Sequence, residues 1–266
     1  MLQEIKFDFY KIFKSKSMFF VLIATLIIVT IDIAQDYLEH EFLAYSVLSH
    51  MLFADKLSLP VTLFAVFFCT KDYSSTYIKN VYTNVNKLKY TLSKIVCLFV
   101  FVVVIAIYSF IVDTILSYTI GIGEIYIEER YIKPVINGVE YLVVGDSKDF
   151  TVDNFFFRYF LHIVQLTAYG MLINLVATLV NNTLTAIITI GWYFISSTVW
   201  GAINSIINII FELYEPNAVN LGPYLIVQNV QGIPWESDAT ILIIRSLIYL
   251  VVATLLSWLA LSKKEF

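Results

Sequence analysis

The sequence predicts an all-α polytopic membrane protein, and three observations predict it. Hydrophobic residues make up 59% of the 266 residues and charged ones only 14%, a balance unlike that of a water-soluble domain. The apolar residues gather into runs long enough to cross a bilayer, which takes about 20 residues per helix. Lys and Arg, finally, are divided unequally between the segments joining those runs. The expected architecture is a single membrane domain over residues 1–266. It has six transmembrane helices, an N-terminal interfacial helix, both termini cytoplasmic, and a small extracellular β-hairpin between spans three and four.

Residues 1–16, MLQEIKFDFYKIFKSK, set Leu2, Ile5, Phe9, Ile12 and Phe13 on one helical face, with Lys11 and Lys14 opposite. That pattern suits a helix lying in the membrane interface, its lysines towards anionic headgroups; the alternative is plain retention of positive charge before the first span. The first span runs from about Met18 to Ala34 and leads into DIAQDYLEHEF, which holds four carboxylates and no Lys or Arg. Lacking a good small-residue cleavage site, this run reads as a span and not as a removable signal peptide. A second span, from near His50 to Cys69, carries Asp55 and Lys56 in its outer part, where neighbouring opposite charges can pair or snorkel. Pro60 is expected to kink it.

Residues 71–94, KDYSSTYIKNVYTNVNKLKYTLSK, form a polar island with five lysines and one acid. Cys69 and Cys97 flank the island and read as reduced thiols. The third span follows from Ile95 to about Ile120, with Asp113 in its outer half. Segment 121–153 is long and acidic, and Asn137-Gly138 lies there between two β-prone runs, a strong hairpin signal. An isolated hairpin is marginal in water, so this one should pack on the spans or on a partner chain. The fourth span, Phe155 to Val180, and the fifth, Thr183 to Ile210, are parted only by Asn181 and Asn182, which implies a tight helical hairpin.

In the fifth span Ser197, Gly201 and Ser205 recur every four residues, with Asn204 and Asn208 beside them. Such a stripe lets another helix approach closely, within the subunit or across a subunit interface. Segment 211–238 is acidic and carries Pro216, Pro223 and Pro234 around LIVQNV, a run too short to span. It suits a re-entrant or interfacial element, with Trp235 at headgroup level. The sixth span, Ala239 to Leu261, has Arg245 near its outer end.

Charge sets the orientation. Placing residues 1–16, 71–94, the Asn181 turn and the C-terminal tail inside collects eleven of the 17 Lys and Arg but only four of the 21 acids. The positive-inside rule therefore puts both termini and the island in the cytoplasm. Asp113 and Arg245 each lie about 10 Å below the outer end of their spans at 1.5 Å per residue. They are expected to face each other, as a structural clamp or as part of an outer gate.

Catalytic chemistry is not indicated. The chain has no Gly-Lys pair, hence no GxxxxGK[ST] loop to cradle nucleotide phosphates. His40, His50 and His162 lack HExxH spacing, and the two cysteines are 28 positions apart, so neither set points to a metal. Gly145-Asp146 lacks the earlier glycine of a membrane aspartyl protease, and Glu128-Glu129 falls in an external loop. The chain is read as no enzyme, with no cofactor of its own and no nucleic-acid partner.

The most specific residues lie in the island: Asp72-Tyr73, then Ser75-Thr76, then Lys87 and Ser93-Lys94, in that order. With the interfacial helix, six spans, inside termini and irregular outer segment between spans five and six, they resemble the membrane subunits of type-two ATP-binding-cassette (ABC) exporters. The likeness is greatest to short permeases of bacterial peptide-export and lantibiotic-type immunity systems. Family members have glycine where Ser75 stands and often a proline before the basic residue, which Asn84 to Asn86 lack. The resemblance implies that the island is a coupling helix that docks on a separate ATP-hydrolysing subunit. Asp72, Tyr73, Thr76, Tyr77, Ile78, Lys79, Val81 and Tyr82 would form its docking element. Tyr77, Ile78, Val81 and Tyr82 do make an apolar patch on a helix, leaving Lys79 and Lys87 for acids or headgroups; the alternative is a membrane-surface helix held by its lysines.

The resemblance further implies a permease subunit in the bacterial plasma membrane that exports an amphipathic antimicrobial or toxin-like peptide, or a lipid-like substrate. Its implied partners are two copies of an ABC ATPase, which carry the ATP and Mg, and a second permease, identical or homologous, together with membrane lipid. The competing reading is a non-transporting immunity or sensor protein that binds peptide at its extracellular segments.

Overall fold

The computed structural model describes residues 2–39, 56–73, 86–120, 131–132, 135–136, 139–140, 143–144, 152–211, 226 and 239–263. Within them lie α1 (Leu2–Phe13), α2 (Lys16–Glu39), α3 (Ser58–Tyr73), α4 (Lys87–Ile120), α5 (Val152–Leu179), α6 (Asn182–Ile210) and α7 (Ala239–Lys263). Five of these, α2, α4, α5, α6 and α7, are long and apolar enough to cross a membrane. The protein is thus a helical, multi-pass membrane protein.

In hydrocarbon every backbone polar group must be satisfied within its own segment, and helices do this. Side-chain hydroxyls follow the same rule by donating to the carbonyl one turn back, as Thr25 does to Val21 (2.8 Å), Thr167 to Ile163 (2.8 Å) and Thr254 to Leu250 (2.6 Å). The α2 stripe of Met18, Val21, Thr25, Val29 and Ile33 is buried, whereas Phe19, Phe20, Ile23, Leu26 and Ile27 are exposed. An apolar outer face around a packed stripe is how a helix sits between protein and lipid.

Helix ends show why the chain breaks where it does. Ser15 separates α1 from α2, and its Oγ accepts from the Ser17 N–H at 3.1 Å, capping α2. Asn86 caps α4 by accepting from Leu88 N at 2.9 Å, so the helix begins at Lys87, well before the Ile95 expected from hydropathy. Asn181 caps α6 by accepting from Leu184 N at 2.8 Å, which closes the tight turn after α5. Pro60 stands in the first turn of α3, where its missing N–H leaves no helical bond unmade. The proline thus stands where α3 opens and not in the helix interior. Of the second expected span, the part from His50 to Asp55 lies outside the described residues.

α5 is the central helix, packed on α7, α3, α4 and α6, while α6 is the helix most open to the surroundings. Gly170 on α5 lets α4 come close: a Cβ there would stand 3.3 Å from Leu98 Cδ2. An aromatic cluster joins α1, α3 and α4. Phe101 is fully buried, with ring centroids of Phe64 at 4.8 Å, Phe9 at 5.5 Å and Phe13 at 5.9 Å. Between α4 and α5, Tyr131 and Ile132 pair antiparallel with Val144 and Val143, and Val135 and Ile136 with Glu140 and Val139. The two ladders share one register.

Truncating Phe101→Ala should cost about 3–5 kcal/mol, because three rings from two other helices lose their common partner. Thermal unfolding in detergent measures this.

Candidate functional site: two buried charge clusters

Burying an ionised side chain in an apolar span costs about 2.5–3.5 kcal/mol on insertion scales, so charges kept there need partners and a reason. Among the described residues, two such clusters lie towards opposite ends of α4.

The first joins α1 to α4. Lys94 Nζ donates to both carboxylate oxygens of Asp8, each at 2.8 Å, with the side chains 0% and 3% exposed. The ammonium also lies over the rings of Phe68 (4.4 Å) and Tyr90 (4.8 Å), and the Cys97 thiol points at Asp8 Oδ2 from 3.9 Å. Bidentate bonding with two aromatic faces stabilises a lysine that water does not reach. Cys69 and Cys97 are both free and buried here. Lys11 is half-buried nearby, and burial, with Lys94 and Lys71 adding to it, pushes its ammonium down to about 7.

This geometry corrects the expected orientation of α1. Asp8 and Ile12 face the bundle, Ile5 and Phe9 pack on the core, and Leu2 and Phe13 are 76% and 70% exposed. Lys11, expected on the far face, is drawn towards the bundle. The cause is the carboxylate: Lys94 needs one, and Asp8 lies on the same helical stripe as Ile5 and Ile12.

The second cluster joins three elements at the far end. Lys56, just ahead of α3, is bonded to Asp113 on α4 and lies 3.2 Å from Asp32 on α2. Asp113 also accepts from Ser117 Oγ at 3.2 Å, one turn along. Lys56 and Asp113 are 4% and 1% exposed and Asp32 is 30% exposed, so the cluster is closed on one side and open on the other.

Among the described residues the cation bonded to Asp113 is Lys56, where the sequence had pointed to Arg245. A lysine at the start of α3 has the reach to bridge α2 and α4, whereas Arg245 is buried on α7 with Leu242, Ser246 and Ala253, on the helix that packs chiefly against α5.

Polar contacts between other helix pairs accompany the two clusters. Ser58 and Tyr193 share a hydrogen bond of 2.7 Å between α3 and α6, Asn174 Nδ2 donates to Ser257 Oγ at 3.5 Å between α5 and α7, and Tyr159 donates to the Ala106 carbonyl at 3.0 Å. His162 and Gln165, one turn apart on α5, are also buried. Among the described residues no group of His, Cys, Asp and Glu forms a metal site.

The remaining sequence candidates fall as follows. Asp72 and Tyr73 end α3, while Thr76, Tyr77, Ile78, Lys79, Val81 and Tyr82, like Asp55, lie outside the described residues. Ser197, Gly201 and Ser205 are exposed on α6, and a Cβ at Gly201 would meet nothing within 4 Å. The stripe therefore points out of the protomer. Sequence reasoning missed Asp8, Lys94 and Asp32 as partners. The available signal was an acid on the apolar stripe of α1 and a lysine at the threshold of a span.

Lys94→Met should cost about 3–5 kcal/mol by stranding Asp8, and Asp8→Leu with Lys94→Met should recover most of it, as read by thermal unfolding in detergent. Lys11 binds fewer protons folded than unfolded between about 7 and its ordinary 10.5, so its contribution to stability rises with pH across that window. The thermal midpoint of wild type relative to Lys11→Met should accordingly rise as pH goes from 7 towards 10. Compared with models of known protein families and with curated protein sequences, the chain matches none, so what the clusters do has to be read from their own chemistry.

Proposed function

We propose that the chain is the permease subunit of an ABC transporter that exports an amphipathic peptide or a lipid-like substrate from a bacterial cell. In this reading it has six spans, both termini and residues 71–94 in the cytoplasm, and the paired strands between α4 and α5 as a small extracellular hairpin. It works with two copies of a separate ATPase, which bind ATP and Mg, and with a second permease copy or homologue.

One observation carries the reading. The island leaves α3 at Tyr73 and re-enters α4 at Lys87, and α4 is clamped at Lys94 to Asp8 of α1. A force applied to the segment between them is thus delivered to three helices together, as a coupling element requires. The charge distribution supports the same orientation, since eleven of 17 Lys and Arg then lie inside. With no Gly-Lys pair in the chain, a phosphate-cradling loop has to come from a partner. The small-residue stripe of Ser197, Gly201 and Ser205, exposed on α6, suits close approach of a second permease.

Tyr77→Asp with Val81→Asp should lower ATPase stimulation and transport by roughly tenfold or more, two charges having been placed where a docking patch is apolar. The spans should stay folded, as read by thermal unfolding. Full transport in that variant refutes the docking assignment. Recovery of the chain alone, with no stimulation of an added ATPase, replaces the exporter by a membrane sensor or immunity protein.

A further inference from the structure

We propose that the groove between α5 and α6 binds an uncharged amphipathic molecule, an aliphatic chain carrying an amide, with the chain in the groove and the amide paired to Gln165. The groove encloses about 230 Å³ and is lined by Tyr169, Leu172, Ile173 and Val176 of α5 and by Thr189 and Trp192 of α6, with no charged side chain in its wall. Apolar cavities of roughly 150 Å³ already take a benzene-sized molecule. This one therefore has room for a chain of several carbons. Ile188 and Trp192, which also border it, are 44% and 39% exposed, and α6 is the helix most open to the surroundings, so the groove is reached from the hydrocarbon.

The register of α5 sets the polar end. Gln165, Tyr169, Leu172 and Val176 follow one another at steps of four, three and four residues, which puts them on one stripe of the helix. Gln165 thus continues the groove wall about 6 Å beyond Tyr169 at a rise of about 1.5 Å per residue. It is 1% exposed, and neither its Nε2 nor its Oε1 has a hydrogen-bond partner. His162, one turn back and also buried, keeps an unbonded Nδ1. Buried hydroxyls of α6 are engaged elsewhere: Thr189 donates to the Thr185 carbonyl at 2.6 Å, and Tyr193 is bonded to Ser58 at 2.7 Å.

A buried amide with donor and acceptor both unused destabilises the fold, and another amide satisfies both at once. A carboxylate would match only the Nε2 and would carry a charge into an apolar groove, while an alkane would match neither atom. Nothing in this site depends on an ATPase partner.

The test uses the full chain in phosphatidylcholine nanodiscs with Trp192 as its sole tryptophan, through Trp200→Phe, Trp235→Phe and Trp258→Phe. It is titrated with 8-bromooctanamide, whose bromine quenches indole fluorescence. Quenching of Trp192 should saturate, whereas in the variant that keeps only Trp258, on α7, it should rise without saturation as the probe dissolves in the bilayer. Gln165→Leu should weaken the amide roughly fivefold to tenfold while raising the thermal midpoint by about 2–4 °C, a combination that a merely structural glutamine does not give. 1-Bromooctane, which lacks the amide, should bind wild type more weakly by the same factor and be indifferent to Gln165→Leu. Val176→Phe, which fills the groove, should abolish saturable quenching by either probe; if that variant is not recovered folded, Gln165→Leu with the two probes carries the test. Quenching of Trp192 without saturation, or equal affinity of wild type for the two probes, overturns the proposal. So does a lowered midpoint in Gln165→Leu, which would mean that the amide is already paired within the protein.

Discussion

A charge placed inside a bilayer cannot be left to itself, and the bond between Asp8 and Lys94 is where this constraint shapes the molecule most. With both side chains closed off from solvent, either one alone would be an uncompensated ion in an apolar setting. The pair fixes which edge of α1 meets the bundle, and the position of α1 in turn brings Phe9 and Phe13 against Phe101. Aromatic packing around the pair completes a junction in which α1 belongs to the core.

The long helices were legible in the sequence because lipid leaves few alternatives. A continuous apolar run has to be helical when its backbone finds no water, so α5, α6 and α7 begin and end within a few residues of their hydropathy limits. Hydropathy misplaced the start of α4, since Lys87 to Lys94 is polar yet helical. There the Asn86 cap, a local signal, decides the boundary. Partnerships between charges were harder to read. Depth along a span says that Asp113 needs a cation, but three-dimensional packing chooses between Lys56 and Arg245, and single-sequence patterns carry no such information. Asp8 was hidden for another reason: on a helical wheel it is one polar residue beside an apolar face, and only Lys94 makes it part of that face.

Both clusters combine side chains from helices far apart in sequence. Lys56, Asp32 and Asp113 hold α2, α4 and the start of α3 at one end, while Asp8 and Lys94 hold α1 and α4 at the other. α4 is the element common to both, and it also continues the island whose docking role is proposed above. Since Asp32 is partly exposed and its partners are not, the far cluster has a wet and a dry side, an arrangement in which a carboxylate can change partners without leaving the protein.

The placement of the clusters on α4 has a consequence for the bilayer itself. Lys94 and Asp113 are separated by about 28 Å of helix at a rise of about 1.5 Å per residue, close to the roughly 30 Å thickness of a hydrocarbon core. α4 thus carries a built-in gauge, with an ionic layer at each end of an apolar rod. A thicker membrane draws one layer into hydrocarbon, and a thinner one tilts the rod or deforms around it. The spacing of two charged residues on one helix thus sets the length of apolar rod that the protein offers to the bilayer.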